Sequence, residues 1–454
     1  MYLNSPITDT QLTPAVGRQE PLAAASGKGR LLFFLLFSFL FISTSAGLHA
    51  QRDSSGLAKK LAEYQIKGSV GLQLWSTYSM NGRVFDASLG RFSEIGNRLN
   101  TQIRRSRFTL TGRPYPTVSF KITAALDLVG HDVLASTEAG GNNAPSPQFR
   151  LWNALLNWQL SPESDAFHFS AGYFLVPHSR ESITGAMQST SFEKPWSQNY
   201  IRRHLTGFGP GRAAGLKLAG QVSAPSDQFH ISYELAAQNP TFQSLNGNSG
   251  GRITSPLLIA RLSLHFGDPE SEKYRASRRV NYFGQRRGVS LSAGVARQGE
   301  SAMFTENSSY GADILFNYDN WQLDGEYYRL YRTDGVARTN SGTGYLRIGR
   351  NLQGRQARIW QPVISYWFFD GPTDLAGQLR ASRLDSFTGK DRSLEIGTNL
   401  YFNPDFKISL FYVIRSGKAG ALGPAEVQNN FYRQPGVELI ERGNYIGLAS
   451  TLVL

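Results

Sequence analysis

Over stretches of about ten residues, apolar side chains take every second position in this chain, and few architectures accommodate that pattern. Val118, Phe120, Ile122, Ala124 and Leu126 alternate with Ser119, Lys121, Thr123, Ala125 and Asp127. Trp152, Ala154, Leu156, Trp158 and Leu160 alternate with Asn153, Asn157 and Gln159. Phe167, Phe169, Ala171, Tyr173 and Leu175 oppose His168, Ser170 and Gly172. The period recurs in Phe229, Ile231, Tyr233 and Leu235, and in Leu258, Ala260, Leu262, Leu264 and Phe266. It returns in Phe406, Ile408, Leu410, Tyr412 and Ile414 opposite Lys407, Ser409 and Arg415, and in Ile446, Leu448, Leu452 and Leu454. Runs of this length and period suit strands that cross a bilayer with one face in lipid. Soluble sandwiches share the alternation but build strands of about 5–6 residues.

The connections point the same way. Arg113-Pro114-Tyr115-Pro116, Ser161-Pro162-Glu163-Ser164-Asp165, Ala224-Pro225-Ser226-Asp227 and Asn403-Pro404-Asp405 read as tight turns, whereas 130–147 and 239–256 are long and rich in Gly, Asn and Ser. Tight turns at one end and long loops at the other are the asymmetry of a membrane barrel. At about 25 residues per strand with its loop, residues 51–454 accommodate about 16 strands. The expected fold is all-β, a transmembrane antiparallel β-barrel.

The N-terminal region reads as an address. Lys28 and Arg30 precede the apolar run Leu31 to Ile42, and small residues lead from Ser43 to Ala50. That order is a secretory signal peptide, and the run is too short for a spanning helix, which needs about 20 residues. The stretch ahead of Lys28 exceeds an ordinary charged leader, so the expected organisation includes an over-called start. Residues 1–50 are then signal, 51–66 a short periplasmic segment, and 67–454 the barrel. Leu57, Leu61 and Tyr64 place one short helix in Ser54 to Gln65; from Lys67 onward the periodicity predicts no helix.

Lys and Arg number 47 against 34 Asp and Glu, a formal charge of +13. The excess survives removal of the signal, which holds Arg18, Lys28, Arg30, Asp9 and Glu20. Such a balance suits nucleic acid, an anionic membrane or small anions, and the export signal argues against nucleic acid. Cys is absent, which removes disulfides, thiol nucleophiles and Cys-based metal sites. The seven His residues show no ligand spacing. Gly247-Asn248-Ser249-Gly250-Gly251 has the spacing of a nucleophile elbow without its strand and helix, and Gly207-Phe208-Gly209-Pro210-Gly211 lacks a nucleotide-binding unit. No cofactor, metal or catalytic constellation is expected.

Alternation also assigns faces. With Phe108 and Leu110 toward lipid, Arg105 and Arg107 point into the lumen; by the same parity so do Lys121, Lys217, Arg261 and Arg347. A mid-membrane Arg on the lipid face would cost about 2–4 kcal/mol. Ser179 to Arg212 lies between two strands as a candidate constriction loop and carries Arg180, Lys194, Arg202, Arg203 and Arg212. Planar guanidinium groups donate paired hydrogen bonds to oxyanions. The alternative for the loop cations is solvation or contact with lipopolysaccharide. Tyr327, Tyr328 and Tyr331, with Trp158, Trp321 and Trp360, read as an interfacial girdle.

Four segments carry a resemblance. They are Ile103-Arg104-Arg105-Ser106-Arg107, then Gly172-Tyr173-Phe174-Leu175-Val176-Pro177 followed by Glu181, then Tyr310-Gly311-Ala312-Asp313, and Gly397-Thr398-Asn399-Leu400-Tyr401. In their order and spacing the chain resembles the phosphate-selective porin O and P family over roughly 68–454. The resemblance implies a 16-stranded outer-membrane barrel, trimeric, with inward loops, a basic constriction, and phosphate or polyphosphate as substrate class. The chain ends Thr451-Leu452-Val453-Leu454, where barrels of this kind usually end on an aromatic residue. The alternatives are a general-diffusion porin with weak anion preference, an outer-membrane barrel enzyme, and a structural or adhesive barrel.

Overall fold

The computed structural model describes residues 54–137, 147–207, 209–223, 228–240, 243–244, 247–248, 253 and 255–454. The expected signal peptide and the expected turn at 224–227 lie outside these residues. Helix α1 spans Ser54–Glu63.

Sixteen antiparallel strands then close into a barrel. They are β1 (Lys67–Met80), β2 (Arg98–Tyr115), β3 (Val118–Asp127), β4 (Gln148–Ser161), β5 (Ser164–Leu175) and β6 (Arg212–Ser223). Next come β7 (Phe229–Asn239), β8 (Leu257–Gly267), β9 (Gly288–Gln298), β10 (Glu306–Tyr318) and β11 (Trp321–Thr333). The last are β12 (Arg338–Arg350), β13 (Ile359–Asp370), β14 (Lys390–Asn403), β15 (Phe406–Lys418) and β16 (Asn444–Val453). Closure is made by β1, which pairs with β2 on one side and with β16 on the other, Gly71 opposite Val453 and Met80 opposite Asn444. A closed sheet has no edge, so every strand finds its backbone partners within the bilayer.

The dyad period sorts the faces as the sequence predicts. Leu156 is 56% exposed, Leu262 48% and Leu410 50%, on the outer face, while Arg261, Ser409 and Lys407 are buried within the lumen. Two irregularities shift this order. Between β1 and β2 the register passes from Gln73–Arg105 to Leu74–Ile103, leaving Arg104 as an extra residue. Between β3 and β4 it passes from Thr123–Asn153 to Ala124–Leu151, leaving Trp152 extra. A bulge of this kind turns a side chain that simple alternation would place on the opposite face.

Turns at Pro116-Thr117, Pro162-Glu163, Asp319-Asn320 and Pro404-Asp405 join strands at one end. At the other end the longest described connection, 176–211, is an inner loop. It carries two helices, α2 (Arg180–Ile183) and α3 (Ser197–Thr206). A further helix, α4 (Leu375–Arg383), lies between β13 and β14 and is capped by Asp374, whose carboxylate accepts from Gly377 N–H at 2.7 Å. The expectation of no helix beyond Lys67 therefore fails. These helices are short and polar, and α3 offers only Tyr200, Ile201 and Leu205 as an apolar face, too little to register as a helical period against strands on both sides.

The inner loop fills one side of the lumen. Trp196, Tyr200, Ile201 and Leu205 pack with Tyr328, Leu330, Tyr345, Trp367 and Phe369 of β11–β13. Tyr200 stacks on Phe369 with ring centroids 4.0 Å apart. The loop also rests on two bare points of the wall: a Cβ at Gly294 would stand 2.5 Å from the His178 carbonyl oxygen, and one at Gly447 2.2 Å from the Phe192 ring. Any larger residue there would lift the loop off the wall.

Candidate functional site

Between the inner loop and the wall of β2–β6 lies a cavity of about 630 Å³. Arg104, Arg105, Arg107, Lys121, Arg150, Lys194, Arg202, Arg212, Lys217 and Arg275 line it, against the carboxylates Glu193 and Glu234. Cations dominate because successive lumen-facing positions on β2 are basic and the bulge adds Arg104 to Arg105 on the same side.

Glu193, on the inner loop, takes both neighbours: Arg104 Nε donates to Oε2 at 2.8 Å, and an Arg105 Nη2 contact reaches Oε1. Burial alone would raise the Glu193 pKa, yet Arg104 and Arg105 together hold it below the ordinary carboxylate value. Two guanidinium groups thus converge on the Glu193 carboxylate. Arg105 Nη1 also donates to Gln73 Oε1 at 2.6 Å. Arg107 pairs with Asp127 and lies with its Cζ 4.1 Å from the Trp152 ring centroid; Arg212 Cζ lies 3.8 Å from the same ring. Trp152 thus faces the lumen, contrary to the lipid-facing expectation, because the bulge at this residue reverses its parity. Arg212 also donates to Pro210 O at 2.7 Å and Asn153 Oδ1 at 3.3 Å. Lys217 Nζ donates to Tyr274 Oη at 2.8 Å and stands 3.7 Å from Glu234. Among the described residues no carboxylate pairs with Lys121, Arg150, Arg202, Arg212 or Arg275.

Across the lumen the basic residues meet a different environment. Arg261 forks onto Asp313 at 2.5 and 2.8 Å, and Arg180 Nε reaches the same carboxylate at 3.1 Å. Arg180 Nη1 also pairs with Glu270 at 2.8 Å. Arg347 meets Asp324 at 2.7 Å and Glu181 at 3.2 Å and donates to the Ser189 and Ser191 hydroxyls. All three are fully enclosed. Sequence parity correctly turns Arg261 and Arg347 inward, but they fasten the inner loop to the wall and do not line the cavity.

The remaining loop candidates divide. Lys194 Nζ donates to the carbonyls of Glu181 at 2.5 Å and Thr184 at 2.6 Å, and burial holds its pKa well below the lysine range. Arg202 donates to Ser182 O at 2.8 Å, and burial lowers it to about 10. Arg203 lies outside the cavity, its Cζ 5.5 Å from the Phe387 ring. Of the proposed girdle, Trp158, Trp321, Trp360 and Tyr327 are exposed on the outer face, but Tyr328 is buried and donates to His178 O at 3.0 Å. Adjacent strand residues point to opposite faces, so Tyr327 and Tyr328 cannot share a girdle. Arg104 and Trp152 escape sequence reasoning because both sit at bulges, and the doubled Arg in Ile103-Arg104-Arg105 is the available signal of the first.

The phosphate-selective porin O and P family model matches residues 79–427. No curated protein matches the sequence. Among solved structures, Pseudomonas putida OprB at high pH aligns with 88% of this chain and 97% of its own, at 9% identity and a TM-score of 0.53. An anion-selective porin from Comamonas acidovorans aligns with 86% of this chain and 98% of its own, at 11% identity and a TM-score of 0.50. At these identities the likeness is one of fold.

Proposed function

The chain belongs to the phosphate-selective porin O and P family, and on that premise we propose that this outer-membrane porin carries small anions, with phosphate or polyphosphate as its substrate class. The observation that carries the reading is the predominance of positive charge in the cavity: among the described residues Lys121, Arg150, Arg202 and Arg212 have no carboxylate within ion-pair distance, and Arg104 and Arg105 meet at Glu193. Fixed cations in a wet constriction replace part of the hydration an anion sheds on entering it. Arg105, Arg107, Lys121, Lys217 and Arg212 are the selectivity set in this proposal, joined by Arg104. Guanidinium groups suit oxyanions because two parallel N–H bonds meet two oxygens. Arg180, Arg261 and Arg347 serve instead to hold the inner loop in place.

The family resemblance further supports a homotrimer that contacts outer-membrane lipid and lipopolysaccharide, exported by the signal peptide read in residues 1–50. Planar bilayers holding the purified protein under a KCl gradient test the central claim. A reversal potential on the anion side is expected, and a cation-side potential would refute it. Phosphate selectivity is separated from general diffusion by adding inorganic phosphate to a chloride-carrying channel. Inhibition of the chloride current supports a phosphate site, and an unchanged current supports general diffusion.

A further inference from the structure

The basic cavity also carries an apolar surface. Trp152 and Leu155 of β4 line it from the wall, and Ala186 and Met187 line it from the inner loop. All four are partly exposed. The wall is bare beside two of them. Leu155 stands opposite Gly172 in the β4–β5 register, and Met187 lies against Gly71 of β1, where a Cβ would stand 3.4 Å from Met187 Cε.

These apolar groups sit next to the cations. Leu155 is the direct cross-strand partner of Lys121, so the two share the lumen face at one depth. The Cβ imagined at Gly71 would also stand 3.7 Å from Arg107 Cβ, which places Met187 beside Arg107. The Trp152 ring lies against both Arg107 and Arg212. Neutral polar groups nearby are partly spent on each other, since the Thr109 and Thr123 hydroxyls bond at 3.1 Å.

Inorganic phosphate presents oxygen in every direction and gains nothing from Leu155 or Met187. An oxyanion joined to a compact apolar body matches both surfaces, because apolar walls hold the body of a ligand while a few polar groups fix its head. We infer that the cavity takes organic phosphates and phosphonates. The oxyanion meets Lys121 and Arg212, and the aliphatic or aromatic body rests on Trp152, Leu155 and Met187. At about 630 Å³ the cavity has room for such a body beside the cations. The inference rests on the anion reading of the cavity and names the class of anion.

The test measures block of the chloride current through the full-length protein in planar bilayers by inorganic phosphate, methylphosphonate and phenylphosphonate, at a pH where all three are dianions. Phenylphosphonate is expected to reach half-block at about tenfold lower concentration than methylphosphonate, the effect of burying roughly two methylene groups. Met187→Ser and, separately, Leu155→Ser should each bring that ratio toward one, and chloride conductance shows that each variant is folded. Phenylphosphonate that blocks no better than methylphosphonate, or a ratio that neither substitution moves, would overturn the inference. The reversal potential of the unsubstituted protein keeps the two readings apart. A cation-side value removes the anion reading itself, whereas an anion-side value with equal block by both phosphonates removes only the organic class.

Discussion

On the β8–β13 side of the lumen, Arg180, Arg261 and Arg347 each meet carboxylates within 3.2 Å, whereas on the β2–β6 side Lys121, Arg150 and Arg212 meet none among the described residues. Residue type is shared; the difference lies in what stands opposite. Asp313, Asp324 and Glu326 all rise from β10 and β11 beneath the inner loop, and Glu326 accepts from the Glu181 backbone N–H at 2.8 Å. Charge on that side is spent on holding the loop. Charge on the other side is left facing the cavity. Basic side chains turned into one lumen can therefore serve two ends, fastening the inner loop on one side and lining the cavity on the other.

The comparison breaks first at Asp313, which serves Arg180 and Arg261 together. Asp313→Ala leaves Arg261 enclosed without its carboxylate and Arg180 with Glu270 alone, a loss of about 3–5 kcal/mol. The thermal midpoint of sheet circular dichroism in detergent should fall accordingly, with ion selectivity little altered. An unchanged midpoint would show that the pairs do not hold the loop.

Acid tests the same side. Burial, aided by Arg261, lowers His178 to about 3, and burial, aided by Arg332, lowers His204 to about 3. Each imidazole is protonated near 6.5 when unfolded but resists protonation in the fold. The unfolded chain binds more protons between those values, so the stabilising contribution is complete above about 6.5 and declines as pH falls toward 3. A denaturation midpoint that stays flat over that window would contradict the enclosure of both residues.

On the cavity side the expected effects run the other way. Lys121→Ala combined with Arg212→Ala should lower the anion-to-cation permeability ratio roughly fivefold, with little change in thermal midpoint. If stability falls while the ratio holds, the two walls have been assigned the wrong way round. The smallest effect belongs to Trp152→Leu. It removes the ring beneath Arg107 and Arg212 and should change anion conductance about twofold through looser guanidinium placement. Single-channel recording would resolve it, and identical conductance would limit Trp152 to packing.

Much of this was legible in the sequence. Alternation such as Phe406, Ile408, Leu410 against Lys407 and Ser409 marks both faces of a strand, and the inward direction of Arg261 and Arg347 follows from parity. Their pairing does not. Arg261 and Asp313 sit on strands separated by β9, and Arg180 reaches them from a loop, so only the closed barrel brings the three together. Trp152 and Arg104 were hidden for a local reason, since one extra residue in a strand inverts the pattern by which faces are read. The helix α3 was hidden by its context, because its apolar face is meaningful only inside the lumen.

The extra residue at Arg104 has a wider implication. Paired with Arg105 it sets two guanidinium groups side by side on one short length of wall, which strict alternation would space two residues apart. A single insertion can therefore add a cation at one depth of a channel with no substitution elsewhere, and deletion of Arg104 would remove that cation and restore the plain alternation of Ile103 with Arg105. Ion preference in such a barrel is open to change by length as well as by composition.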